Sequence, residues 1–215
     1  MKHITIVIPT RGRLQRLLRT LDSIPPEPWI TIKVVCDADE ETFLALVKKG
    51  LPHVEPRLAP THSGSVACRN SVIPDTDDGL FWATDDVVFE PGAFKTYLDL
   101  FNKKFPDDDG VVGIRQLTPH HPTGVGLMGK VFLNRYPKRE PFFPEYWHFA
   151  CQEIGRLANK VGKFYFCEEP PVTHISPNQN QSLIDVTHQD ARRYKKSDMK
   201  LNHRRKRQGL IWGAK

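Results

Sequence analysis

The sequence predicts an α/β fold: a mostly parallel sheet flanked by helices, with a Rossmann-like nucleotide-binding half followed by an acceptor-side half. Three observations support this. β-branched, strand-like runs alternate with helix-length segments over residues 4–116. The connections are long enough for the right-handed crossovers that parallel strands need. Polar residues cluster at 9–13, 36–40 and 83–87, where three strands are expected to end. Ligands of open parallel sheets bind beyond the carboxyl ends of the strands.

Residues 4–9 (ITIVIP) form a continuous apolar run, as a strand buried on both faces requires. Residues 13–24 place Leu14, Leu17, Leu18 and Leu21 on one helical face, and Pro25 and Pro26 stop that helix. A second strand over 31–36 ends in Asp37-Ala38-Asp39. A helix over 40–49 ends at Gly50, and a weaker strand covers 54–58. Residues 64–73 form a short helix before Pro74. Residues 79–83 form a strand running into Thr84-Asp85-Asp86. A helix over 92–103 and a strand over 110–116 close this half.

The second half is rich in Gly, Pro and aromatic residues. It predicts a strand or hairpin near 124–134, a long loop over 135–146, a helix over 149–160 and a strand over 163–167. A Pro-rich loop then leads to His174 and the polar run SPNQNQS. The expected organisation is a domain over 1–184, its halves meeting at 116/117, and a basic tail over 185–215 formed as a helix or a mobile arm.

The chain has 215 residues, of which 39% are hydrophobic and 26% charged, enough apolar material for a core. No run approaches the ~20 apolar residues of a membrane span. The N-terminus has no small-residue cleavage site and is expected to be a strand, not a leader. Cys36, Cys68, Cys151 and Cys167 have no metal-knuckle spacing, so free thiols in a reducing cytoplasm (a host's, for a viral chain) are expected. The net charge of +6 is uneven. Residues 192–207 hold nine Lys/Arg and one Asp, whereas the rest of the chain is slightly acidic. Such a tail suits an anionic partner: nucleic acid, an anionic surface or a nucleotide diphosphate.

Asp85-Asp86 is the sharpest chemical feature. Paired carboxylates at a strand end can hold Mg²⁺ or Mn²⁺ beside substrate phosphates, or simply form a solvated turn or helix cap. Arg11, Arg13 and Arg69 stand at the same predicted edge, as phosphate-binding cations or as surface charge. Adjacent His120 and His121 point opposite ways on an extended chain and make a poor metal pair. Tyr146 and Trp147 could stack on a sugar or base, or serve the core.

The ordered set of segments resembles family 2-like glycosyltransferases of the GT-A fold. ITIVIPTRGR at 4–13 resembles their first strand and loop. Asp37 and Asp39 stand where that family binds the nucleoside. GSVACRN at 64–70 resembles a G-x-x-x-A-R-N helix start, with Cys68 inserted. FWATDD at 81–86 resembles the D-x-D segment, with Ala83 at its first acidic position. FACQEIGRLANKVGKFYF at 149–166 resembles the acceptor-side helix, with Ala150-Cys151 replacing its acidic pair, and His174 falls at the third metal ligand.

The resemblance implies a metal-dependent, inverting transfer of a hexosyl or pentosyl group from a UDP-type donor. Asp85 and His174 would hold Mn²⁺ or Mg²⁺, with Asp86 as a water-mediated ligand. Pro9, Thr10, Arg11, Arg13, Asp37, Asp39, Arg69, Asn70, Thr84 and Asp85 would bind the donor. Gly126, Trp147 and Gln152 would line the acceptor side. Glu153 is the first choice of general base and Asp86 the second, and an N-terminal-turn role for Glu153 is the competing reading. The tail makes DNA an acceptor to consider, specifically a hydroxymethylated pyrimidine of the phage type. A cell-surface glycan or protein acceptor, an inactive nucleic-acid or glycan binding module, and a nucleotidyltransferase are the other readings. Arg11-Gly12-Arg13 is a poor phosphate loop for the last of these.

Overall fold

The computed structural model describes residues 1–73, 79–117, 122–148, 151–175 and 185–214. The Pro-Asp segment at 74–78, His120-His121, Ala150 and the SPNQNQS run lie outside the described residues.

β1 (Ile4–Thr10) is buried along its whole length. It lies between β2 (Ile30–Asp37) and β4 (Gly79–Trp82), parallel to both. Its period-2 side chains feed two cores: Ile4, Ile6 and Ile8 enter one, Val7 the other. α1 (Leu14–Asp22) returns the chain by burying Leu17 and Leu21. α2 (Glu40–Lys49) begins at an Asp39 cap and ends at Gly50, and β3 (Val54–Ala59) adds the outer strand beside β2. α3 (Gly64–Asn70) packs under β1 and β2.

Beyond β4 the chain forms a two-residue strand β5 (Val87–Val88), then α4 (Ala93–Lys104) and β6 (Val111–Gln116). β7 (Val125–Met128) is antiparallel to both β4 and β6. The expected hairpin ends there: α5 (Lys130–Leu133) and a 3-10 turn (Pro137–Arg139) follow. The expected loop to 146 is tied down because Phe142, Phe143 and Tyr146 are buried. α6 (Cys151–Lys160) leads to β8 (Phe164–His174) and, after the gap, to α7 (Val186–Arg207). The sheet order is β3-β2-β1-β4-β7-β6-β8-β5, so the fold is a mixed, mostly parallel eight-stranded α/β sheet.

One expectation is corrected. The Pro-rich segment is strand rather than loop, because the pairing of β8 with β6 shifts register between Ile114 and Gln116 and so accommodates Pro170 and Pro171. Its end then pairs antiparallel with β5, setting His174 against Val87. Of the two forms expected for the basic tail, it takes the helical one: α7 has 22 residues and docks on the body. The four cysteines are free thiols, and no described helix is long and apolar enough to cross a membrane.

Gly126 lies in β7, where an added Cβ would sit 2.5 Å from the Trp82 ring and 2.8 Å from the Val112 carbonyl oxygen. Its role is close packing, not an acceptor wall. Gly126→Ala is expected to lower stability by about 1–3 kcal/mol through overpacking, measured by urea unfolding.

Candidate functional site

The carboxyl ends of β1, β2 and β4 converge as expected. After Thr10 the chain turns at Gly12, whose φ of +62° favours glycine and whose amide donates to Asp39 at 2.7 Å. This turn places Arg13 before α1, not in it, with its side chain lying back under the rim.

Arg13 is the hub. Its Nη1 donates to Asp85 at 2.9 Å and to Asp86 at 3.2 Å. Its Nε and Nη2 donate to Asp185 at 2.8 and 2.9 Å, and Nη2 also meets His188 Nδ1 at 2.9 Å. Asp85 accepts a further bond from the Thr10 hydroxyl at 2.7 Å, while Thr84 hydrogen-bonds Asp86. His174 Nε2 stands 3.1 Å from the remaining Asp86 oxygen. Arg13, Asp85 and Asp86 are all buried.

Burial pushes the Asp85 carboxyl up, Arg13 opposes that shift, and the charge of Asp86 adds to it. Burial works against Asp86 ionisation too, but the His174 hydrogen bond and charge, with Arg13, hold Asp86 well below the usual carboxylate range. Burial lowers His174, and Asp86 more than compensates, leaving its pKa raised.

The expected metal set does not fit this arrangement. Hard-ion ligation needs lone pairs directed into an open position. Here Arg13 engages one oxygen of each carboxylate, Thr10 engages the second oxygen of Asp85, and His174 faces the second oxygen of Asp86. Among the described residues no group of three His, Cys, Asp or Glu side chains is arranged to hold a metal ion.

The nucleoside candidates are placed as follows. Asp37 accepts from His62 Nδ1 at 2.7 Å and from the Ser63 and Gly64 amides at 2.8 and 3.0 Å, clamping the start of α3. Asp39 caps α2 through the Thr42 amide. Arg11 donates to Asp190 at 2.6 Å and meets His62 at 2.9 Å. Pro9 is buried in the sheet, paired with Val35. Arg69 is buried, donating to the Ala83 carbonyl and lying over the Phe142 ring. Asn70 bonds both backbone groups of Phe142. These last three hold the frame and are not aimed at a ligand.

The acceptor-side candidates hold α7. Trp147 stacks on Tyr194 with centroids 4.2 Å apart, its amide donates to Asp198, and Gln152 accepts from Asn202 at 2.7 Å. Glu153 is 0% exposed and accepts from Tyr146 at 2.8 Å, Arg205 at 2.6 Å and the Trp212 amide at 2.6 Å. Burial would raise its pKa, but Arg205, the amide and the Tyr146 hydroxyl outweigh burial and lower it. That environment does not suit the expected general base, and Glu153 is an anchor. Cys151 is no substitute, because burial pushes its thiol up. Sequence reading missed His62, Asp185, His188, Asp190 and Tyr194, since their partners lie far away in the chain.

No family model matches the chain, and no curated protein matches it in sequence. Solved structures of S. aureus TarS share its fold. TarS 1-349 superposes with a TM-score of 0.66 at 13% identity, covering 83% of this chain and 62% of that one. Its complex with UDP-GlcNAc gives 0.65 at 12% identity, covering 85% and 62%. Its complex with UDP gives 0.65 at 12% identity, covering 83% and 62%. The chain thus spans less than two thirds of these neighbours. The likeness is one of fold, the GT-A-type α/β sheet.

Glu153→Ala leaves Arg205 without its buried partner and is expected to cost about 3 kcal/mol, read by thermal unfolding. Because the folded pKa of Glu153 is depressed, its contribution is full above the unfolded carboxylate value and is lost as pH falls through the folded one. Release of α7, followed by Trp147 and Trp212 fluorescence, is therefore expected as pH drops below about 4.

Proposed function

We propose that the chain is a glycosyltransferase that takes a sugar from a nucleotide-diphosphate donor, UDP-linked, and passes it to a hydroxyl acceptor. The observation that carries this reading is the polar rim at the carboxyl ends of β1, β2 and β4, on a fold shared with a protein solved with UDP-GlcNAc and with UDP. Arg11, Arg13 and Arg16 form a cationic cluster there, occupied in this structure by Asp185, which caps α7, and by Asp190 within it. Those carboxylates stand where a donor's phosphates would be received, and donor entry displaces them. Direct inverting displacement is the simplest chemistry, since among the described residues no dedicated nucleophile stands at the rim. Asp86 is engaged by Arg13 and His174 and its pKa is depressed, so, like Glu153, it is ill-suited to act as the base.

For the acceptor we propose DNA carrying hydroxymethylated pyrimidines. α7 presents Arg192, Arg193, Lys195, Lys196, Lys200 and Arg204 to solvent. Beside it, Trp147, Tyr194, Lys200, Arg204 and Arg207 line a groove of about 1020 Å³. A second reading, a donor-fold module that binds without turnover, is favoured by the occupied state of Glu153.

Mass spectrometry of the full chain with UDP-sugars and hydroxymethylated DNA is expected to show glycosylated base, with Asp85→Asn lowering turnover about a hundredfold. Donor binding without turnover on DNA, glycan or water would establish the binding module instead. Replacing Lys195, Lys196 and Lys200 by Gln is expected to weaken DNA binding and flatten its salt dependence by about one unit for each phosphate no longer neutralised, read by fluorescence anisotropy.

A further inference from the structure

The rim holds an acidic pair with a cation already bound to it. Arg13 Nη1 bridges Asp85 Oδ1 and Asp86 Oδ2, so a positive charge already sits between the two carboxylates. The guanidinium is held from the opposite edge as well, since Nε and Nη2 both meet Asp185. A planar fork with fixed donor directions can serve two anions on two edges at once, which the single point charge of lysine cannot do. The Arg13 side chain is only 5% exposed, with partners on both edges, so it does not swing aside without leaving buried carboxylates uncompensated.

Resting on the glycosyltransferase reading, we propose that Arg13 is the resident cation of this site in place of a divalent metal. Its Nη1 edge stays on Asp85 and Asp86. Its Nε and Nη2 edge passes from Asp185 to the donor diphosphate. The two edges link the carboxylate pair to the phosphates, the bridge that a metal ion provides elsewhere. Thr10 donates to the second Asp85 oxygen and His174 Nε2 stands 3.1 Å from that of Asp86, so a second cation would compete with both.

The test uses the full chain and two independent readouts: Mn²⁺ uptake by electron paramagnetic resonance, with and without UDP, and UDP affinity by calorimetry in EDTA or in Mn²⁺. The wild type is expected to take up no Mn²⁺ at about millimolar concentration. Its UDP affinity is expected to be the same within about twofold in either buffer. Arg13→Gln, which vacates the carboxylate pair, is expected to lose at least about tenfold in UDP affinity in EDTA and to recover part of it with Mn²⁺. Stoichiometric Mn²⁺ uptake by the wild type, or a gain of about tenfold or more in its UDP affinity with Mn²⁺, overturns the proposal. If UDP binds under no condition, the glycosyltransferase reading fails, and the Mn²⁺ titrations of wild type and Arg13→Gln still decide what occupies the pair. If circular dichroism shows Arg13→Gln unfolded, the wild-type titrations alone decide.

Discussion

One guanidinium joins three parts of the chain. Arg13 ties the end of β1 to the Asp85-Asp86 turn after β4 and to the first residue before α7. Asp85, Asp86 and Asp185 are distant in sequence from Arg13, and two of them are almost wholly buried. Two adjacent buried carboxylates would repel and cost several kcal/mol each to desolvate unless a cation sat between them. The fold meets that demand from the loop nearest in space. The Gly12 turn makes this possible, since it directs the next side chain back under the strand ends. Loss of this cation would therefore reach beyond local charge, loosening the β1–β4 edge and the start of α7 together.

α7 docks by polar contacts rather than by an apolar stripe. Its only fully buried side chain among those described is Asp198, which accepts from the amides of Trp147 and His148. Tyr194 adds a stacked ring, and Arg205 adds the bond to Glu153 while lying 3.6 Å from the Phe143 ring centroid. Acidic and aromatic positions face the body while most of the cations face water. The same helix thus neutralises the cationic rim at its first turns and presents positive charge outward along the rest. A segment that composition alone marks as a basic arm is an ordered, two-faced element.

Much of the fold was legible because the governing forces are local or periodic. The β1 run, the leucine face of α1 and the Asp39 and Gly50 ends of α2 announce themselves within a few residues. The start of β8 was read at 163–167, but its continuation to His174 was hidden because two prolines normally argue against a strand, and only a register shift in its partner lets them in. The site was half legible. Thr10, Arg13, Asp37, Asp85, Asp86 and His174 do gather at one edge, as topology and the resemblance required. Their partners did not show, since Asp185 and Asp190 sit in a stretch where basic residues dominate the composition. Glu153 misled for a related reason: a carboxylate at a helix start looks the same in sequence whether it faces a substrate or Arg205.

The two ends of α7 are held with unequal strength, and this bears on how the rim could open. At the start, Asp185 and Asp190 are about a fifth exposed, so their pairs with Arg13, Arg16 and Arg11 are partly screened. At the far end, Glu153 is buried and accepts from Arg205 and from the Trp212 amide, both outside its own helix. Breaking that end leaves a buried charge without compensation, whereas breaking the start returns two carboxylates to nearby water. Anionic ligands such as phosphates can replace Asp185 and Asp190 on the same arginines, offsetting each broken bond with a new one. Opening confined to the first turns of α7 therefore costs less than release of the whole helix, and the basic face stays in place while the rim exchanges its anions.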